Sequence, residues 1–205
     1  MKKLLMIAAM AVAAFTANAQ EIHITPHLGI GYSHFYNMPD GNNDANTFNV
    51  GADVEYMLGS KLGLSAGADL QYVLTEEYQF PYELKNKWQR NKFLYLNIPL
   101  LAQYHMGQFA IKAGLQPAFL LSAKHTYDGE SSSVKDQLQT FSLALPVGVS
   151  YEFKKTPIVL DLRCAIPLTK QNKGNFYQSE EGSWVEGNEG NTKLLTVMLT
   201  AGYRF

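Results

Sequence analysis

Apolar and polar residues alternate with period two through most of the chain, the pattern of strands with two unlike faces. From Leu62 onward, Leu62, Leu64, Ala66, Ala68, Leu70, Tyr72 and Leu74 fall on one face, and Gly63, Ser65, Gly67, Asp69, Gln71 and Thr75 on the other. A helix would mix the two sets. The alternation recurs eight times, over residues 22–36, 46–58, 62–75, 92–106, 109–122, 138–153, 157–169 and 192–205. Connections alternate too: Gly59-Ser60, Met106 to Gln108 and Lys154 to Thr156 are tight, whereas 37–45, 76–91, 123–137 and 170–191 are long and polar. Short turns on one side and long loops on the other predict an all-β fold, an eight-stranded antiparallel transmembrane β-barrel with short periplasmic turns and long extracellular loops.

A soluble barrel with an apolar lumen is the rival, and the greasy face decides between them. The continuous apolar row carries almost no charge within the strands, as contact with hydrocarbon requires. The opposite face carries Asp53, Glu55, Asp69, Lys112, Glu152, Asp161, Arg163 and Arg204 together with Gln71 and Gln116, an expected lumen charge network. Aromatics share the apolar parity and gather at both ends: Tyr56, Tyr104, Phe109, Tyr151, Phe153, Tyr203 and Phe205 near the short turns, and Tyr32, Phe48, Tyr72, Phe119 and Phe141 toward the long loops. Two such girdles mark the two boundaries of a membrane.

The apolar row of the last segment runs through Tyr203 to Phe205, so the final strand is expected to pair with the first and close the sheet. Its outward aromatic ending resembles the signal read by the outer-membrane assembly machinery, with Tyr203 and Phe205 as the residues concerned. Inner-face glycines suit a narrow lumen filled by side chains rather than an open pore. Pro99, Pro117 and Pro146 fall within strands, and bulges are expected there.

The N-terminus reads MKKLLMIAAMAVAAFTANAQ: two lysines, an apolar run from Leu4 to Phe15, and Ala17 and Ala19 flanking Asn18. This is the pattern of a secretory signal peptide over residues 1–19 cleaved after Ala19, leaving 20–205 as a single barrel domain in the bacterial outer membrane. Formal net charge is −1, or about −3 without Lys2 and Lys3, which gives no reason to expect a nucleic-acid partner. The sole cysteine, Cys164, excludes an intramolecular disulfide.

With the strands placed, YLNIPLLAQY, Tyr95 to Tyr104, resembles the strand motif of the PorT-like outer-membrane β-barrel family of Bacteroidetes-type bacteria. AGLQPAFLLSAK, Ala113 to Lys124; LPVGVSYEF, Leu145 to Phe153; LDLRCAIPLT, Leu160 to Thr169; and the terminal LTAGYRF resemble its later strands. Asn97 and Cys164 depart from the family pattern. The resemblance implies a small barrel and, for one branch, a part in protein secretion.

No strong catalytic motif is present, and no cofactor is expected. Ser33 beside His34, with His125 or Asp128 from a neighbouring loop, is the weak constellation for a lipid-modifying barrel enzyme, although adjacent strand residues point to opposite faces. Glu180, Glu181, Glu186 and Glu189 lie in an acidic loop without calcium-loop spacing. Aromatics in the long loops, with Tyr82, Trp88, Tyr177 and Trp184 foremost, are the candidate surface for an envelope-protein or glycan partner. The expected partners are thus outer-membrane lipid, the assembly machinery through the last strand, and a loop ligand. The expected function is non-enzymatic interaction or membership of an envelope or secretion assembly, with a lipid-modifying enzyme or narrow ion conductor as alternatives.

Overall fold

The computed structural model describes residues 22–36, 44–79, 87–127, 130–173, 176–178, 184–186 and 191–205. The leader read over 1–19 lies outside them. The wall is built from β1 (Ile22–Tyr36), β2 (Asp44–Met57), β3 (Leu62–Gln79), β4 (Lys87–Asn97) with β5 (Leu100–Met106), β6 (Phe109–Tyr127), β8 (Phe141–Glu152), β9 (Ile158–Pro167) and β12 (Lys193–Tyr203). Small hairpin strands β7 (Glu130–Ser133), β10 (Phe176–Gln178) and β11 (Trp184–Glu186) belong to the long loops.

β4 and β5 make one wall strand. Ala66 faces Leu100 and Asp69 faces Asn97 in a single continuous register. Each wall strand pairs antiparallel with its neighbours in sequence, and β1 pairs with β2 on one side and β12 on the other, so eight wall strands close a ring. Phe205 extends the closing seam by bonding to Ile24. Closure satisfies the backbone groups that an open edge would leave bare, a condition for a sheet placed in hydrocarbon.

The expected bulges at Pro99, Pro117 and Pro146 are absent, because the register is the same on either side of each. At two of the three the carbonyl visibly keeps its partner: Pro99 accepts from Gly67 at 2.9 Å and Pro117 from Ile98 at 2.8 Å. The register shift between β4 and β6 comes elsewhere. Leu94 faces Ser122 and Tyr95 faces Leu120, which leaves Leu121 as an extra residue. Beyond it the parity of β6 inverts, and Ala123 and His125 turn inward.

The tight connections are as short as expected. At Met106 to Phe109, Gly107 takes φ 70°, a left-handed conformation that a hairpin turn of this length needs and a residue with a Cβ resists. The long connections carry more order than their polarity suggests. β3 and β4 stay paired up to Gln79 and Lys87, and β6 folds back on β7.

The two faces separate as the alternation demands. Leu28, Ile30, Val50, Phe109, Val149, Leu199 and Tyr203 stand exposed on the outer wall, from 49 % to 65 % accessible, while Asp69, Lys112, Asp161 and Arg163 are buried inside. Apolar residues exposed all round the wall far exceed the few hundred Å² that a soluble monomer ordinarily shows. The aromatic ends are bands of contact: Phe109 and Tyr151 lie 4.9 Å apart, Tyr151 and Phe153 4.9 Å, and Tyr203 and Phe205 4.7 Å at the short-turn end, with Phe119 and Phe141 5.5 Å apart toward the loops.

Candidate functional site

The lumen is filled in three layers. Nearest the short turns, Arg204 joins Glu55 at 2.8 Å and Glu152 at 3.0 Å, and His105 Nε2 lies 2.6 Å from Glu55. Above them, Arg163 reaches Asp53 at 3.3 Å, Asp161 at 3.4 Å and Asp69 at 3.9 Å; Lys112 pairs with Asp161, and His27 with Asp69 at 2.8 Å. Each of the eight ionic residues expected in the lumen thus meets at least one other, in two groups: Glu55, Glu152 and Arg204 in the lower, and Asp53, Asp69, Lys112, Asp161 and Arg163 in the upper.

His27 joins the upper group and His105 the lower, and neither was among the residues expected there. Both sit on the inward parity of their strands, which was the available signal. Among the described residues of the two groups, five carboxylates stand against Lys112, Arg163 and Arg204, and each histidine places a ring nitrogen against one of the carboxylates.

Small inner residues make this crowding feasible. A Cβ at Gly67 would strike the Asp53 carboxylate, and one at Gly114 the Leu100 carbonyl. His27, Asp53 and Asp69 bring three potential metal ligands together, but the guanidinium of Arg163 already bridges the two carboxylates. Around Arg163 the arrangement is that of a buried ion network, in which removing one member strands the others in a low-dielectric interior.

The next layer is neutral and polar. Ser33 Oγ lies 2.6 Å from Thr47 Oγ1 and 2.8 Å from Thr196 Oγ1, Gln71 reaches Thr196 at 3.5 Å, and Asn97 bonds to Gln71. Cavities of about 40 and 20 Å³ lie against the charged and polar layers, the first touching Lys112 and Asp161 and the second Gln71 and Asn97. Each has room for water and little else.

Toward the loops the lumen becomes apolar. Phe35, Val73, Phe93, Tyr95, Leu120, Ala123 and Leu194 form a buried cluster joined from above by Val134 and Leu138 of the loop before β8. Leu138 bridges to Asn172, Gln139 N–H donates to the Gln171 carbonyl at 2.7 Å, and the Tyr95 hydroxyl donates to Gln171 Oε1 at 3.3 Å. Two loops are therefore seated in the mouth of the barrel. The inward parity of Phe35, Val73, Phe93 and Tyr95 could have disclosed this cap, but the charged residues of the same face drew the reading.

The weak catalytic constellation is dispersed. Ser33 is buried and spends its hydroxyl on two threonines, His34 points outward to Asp44 at 2.7 Å, and His125 points inward to Asn91 at 2.6 Å; Asp128 lies outside the described residues. Of Glu180, Glu181, Glu186 and Glu189, only Glu186 lies among the described residues, in β11. Of the candidate loop aromatics, Tyr82 lies outside the described residues; Trp88, Tyr177 and Trp184 are placed in β4, β10 and β11 by backbone alone, with Gln178 facing Trp184.

A family model for an outer membrane protein beta-barrel domain matches residues 18–173. No curated protein matches the chain. Among solved structures, Ail, the attachment invasion locus protein of Yersinia pestis, in complex with the heparin analogue sucrose octasulfate, matches with TM-score 0.52 and 18 % identity over 91 % of this chain and 100 % of its own. Neisserial surface protein A (NspA) matches with TM-score 0.50 and 14 % identity over 90 % of this chain and 97 % of its own. At these identities the likeness is one of fold.

Proposed function

The chain belongs to the outer membrane protein β-barrel domain family, and on that premise we propose that it is a non-enzymatic, non-conducting barrel that acts through its long-loop end at the cell exterior. The observation that carries this reading is the filled lumen. Charged, polar and apolar layers occupy it in turn, and two loops close its mouth, so recognition is left to the loop crown. The ion network is the barrel's internal scaffold. Tyr82, Trp88, Tyr177 and Trp184 are the residues assigned to partner contact, Tyr203 and Phe205 to recognition by the assembly machinery, and residues 1–19 to an export signal removed after Ala19.

Within the family, the strand motifs from Tyr95 to Phe205 favour a PorT-like member, with a secretion assembly as one setting for the loop contacts. A glycan is the alternative loop partner. Ail, a barrel of the same fold, is known in complex with a sulfated saccharide, which supports surface recognition as a use of this scaffold.

The reading is tested on the purified barrel. In planar bilayers it should give no discrete current steps, and incubation with lipid A or phospholipid should leave the lipid masses unchanged. Steady unitary conductance would establish a conductor, and a hydrolysed or transferred acyl chain an enzyme.

A further inference from the structure

Within the apolar band, the outward positions of the wall strands are uncharged. The change comes abruptly at its loop-side edge on β4 and β6. Above Leu94 stands Lys92, and above the extra residue Leu121 stands Lys124. The two lysines are Cα partners in the β4–β6 ladder. Lys124 is exposed and Lys92 partly so, and both lie on the outward face.

The bulge creates this pairing: in an uninterrupted strand the parity of β6 would turn Lys124 into the lumen. Instead Ala123 and His125 take the inner positions, and Lys124 emerges beside Lys92. Directly opposed residues of an antiparallel pair hold their Cβ atoms about 4.5–5.5 Å apart, and like charges placed so repel. Among the described residues no carboxylate pairs with either lysine.

Lys135 adds positive charge beside the pair. The Lys135 ammonium donates to the Leu121 carbonyl at 3.0 Å, at the foot of the pair. Arg90 lies two residues along β4, opposite Thr126 on one side and Glu76 on the other. Asp136, beside Lys135, is the nearby acidic residue of the same loop. Directly below are the outward apolar residues Leu94, Leu96, Phe119 and Leu121.

We propose that Lys92 and Lys124, flanked by Lys135, hold the phosphate-bearing headgroup of an anionic lipid of the outer leaflet, with its acyl chains along Leu94, Leu96, Phe119 and Leu121. The position on the wall selects an amphiphile. A ligand that reaches both ammonium groups stands beside the barrel at the rim of the apolar band, where a soluble polyanion would have to displace lipid. Bridging by one phosphate replaces repulsion between the lysines with two charge-assisted hydrogen bonds. The site rests on the orientation proposed above, with long loops outward.

The test is native mass spectrometry of the folded barrel in non-ionic detergent, with lipid A, its dephosphorylated form and soluble inositol hexakisphosphate as probes. Wild type should retain lipid A over the dephosphorylated form. K92Q/K124Q should lower that retention by about thirtyfold, the product of two lysine contributions at an anionic surface, whereas K92R/K124R should preserve it. Heat-modifiable migration on gels verifies that each variant is folded; a variant that fails this check is replaced by the single substitutions K92Q and K124Q.

Unchanged preference in the glutamine variants would overturn the proposal, and so would competition by inositol hexakisphosphate at the same concentration. The micelle assay does not depend on how the barrel faces in a cell, so its failure counts against the lysine site alone. A cysteine introduced in the 123–137 loop that cannot be labelled from outside intact cells would count against the orientation instead.

Discussion

The N–H of Phe205 donates to the carbonyl of Ile24 at 2.9 Å, and the N–H of Ile24 returns a bond to Phe205 at 3.4 Å. This reciprocal pair prolongs the seam between β12 and β1, while Phe205, 68 % exposed, sets its ring 4.7 Å from that of Tyr203. Backbone closure and boundary aromatic meet in one residue.

Removing residues 203–205 should therefore open the short-turn end of the seam and sharply reduce the folded barrel recovered from membranes. The two bonds to Ile24 and the bond from the Arg204 N–H to Pro157, at about 0.5–1.5 kcal/mol each, set the smallest cost, to which the loss of Arg204 from Glu55 and Glu152 adds. Phe205→Trp should assemble nearly as the parent does, and Phe205→Ser should assemble poorly although its backbone bonds are unaltered. Heat-modifiable mobility of membrane fractions measures both, and equal assembly of the two would remove the aromatic from the account of recognition.

Arg163 serves three carboxylates at once, so Arg163→Met should destabilise the barrel by about 3–5 kcal/mol in urea titrations in micelles, the usual result of stranding buried charge. Adding Asp161→Asn should recover part of that loss. A single variant as stable as wild type would mean that the lumen is hydrated freely enough to solvate the carboxylates.

The outer wall should be intolerant where the lumen is accommodating. Leu199, 49 % exposed and midway along β12, should cost about 2–4 kcal/mol when replaced by arginine in a lipid bilayer. Leu199→Ile should be nearly neutral. Reversible unfolding into bilayer vesicles is the measurement.

How much of this was open to sequence reading follows from what period two encodes. It assigns faces, so the apolar wall, the two girdles and the eight charged lumen residues could all be read without coordinates. It does not encode register. That Lys92 stands opposite Lys124 depends on an extra residue within the run Leu120-Leu121-Ser122, where apolar neighbours hide the change of parity. Prolines misled for the related reason that a missing donor was equated with a displaced strand; at Pro99 and Pro117 the ladder continues and only one bond lapses. The apolar cap escaped because a face was read as having one character along its length, whereas Arg163 and Phe93 share the lumen at different depths. Loop polarity concealed the extended β3–β4 and β6–β7 pairs, whose backbones bond to each other irrespective of side chain.

The bulge itself can be tested by deletion. Removing Leu121 should join Tyr95–Leu120 and Leu94–Ser122 in one unbroken register, with Ala123 and His125 still inward and Lys124 still outward opposite Lys92. The deletion variant should therefore fold and keep the lipid preference of the Lys92 region. Loss of the folded form or of that preference in native mass spectrometry would show that the extra residue does more than set the parity of β6.

The claim beneath all of this is that the greasy face looks outward. It is tested most directly by spin labels placed singly at residues 195 to 201 of β12, in a Cys164→Ala background reconstituted in lipid vesicles. Molecular oxygen should reach labels at 195, 197, 199 and 201 and be excluded from those at 196, 198 and 200. The opposite alternation, or equal access along the strand, would contradict it.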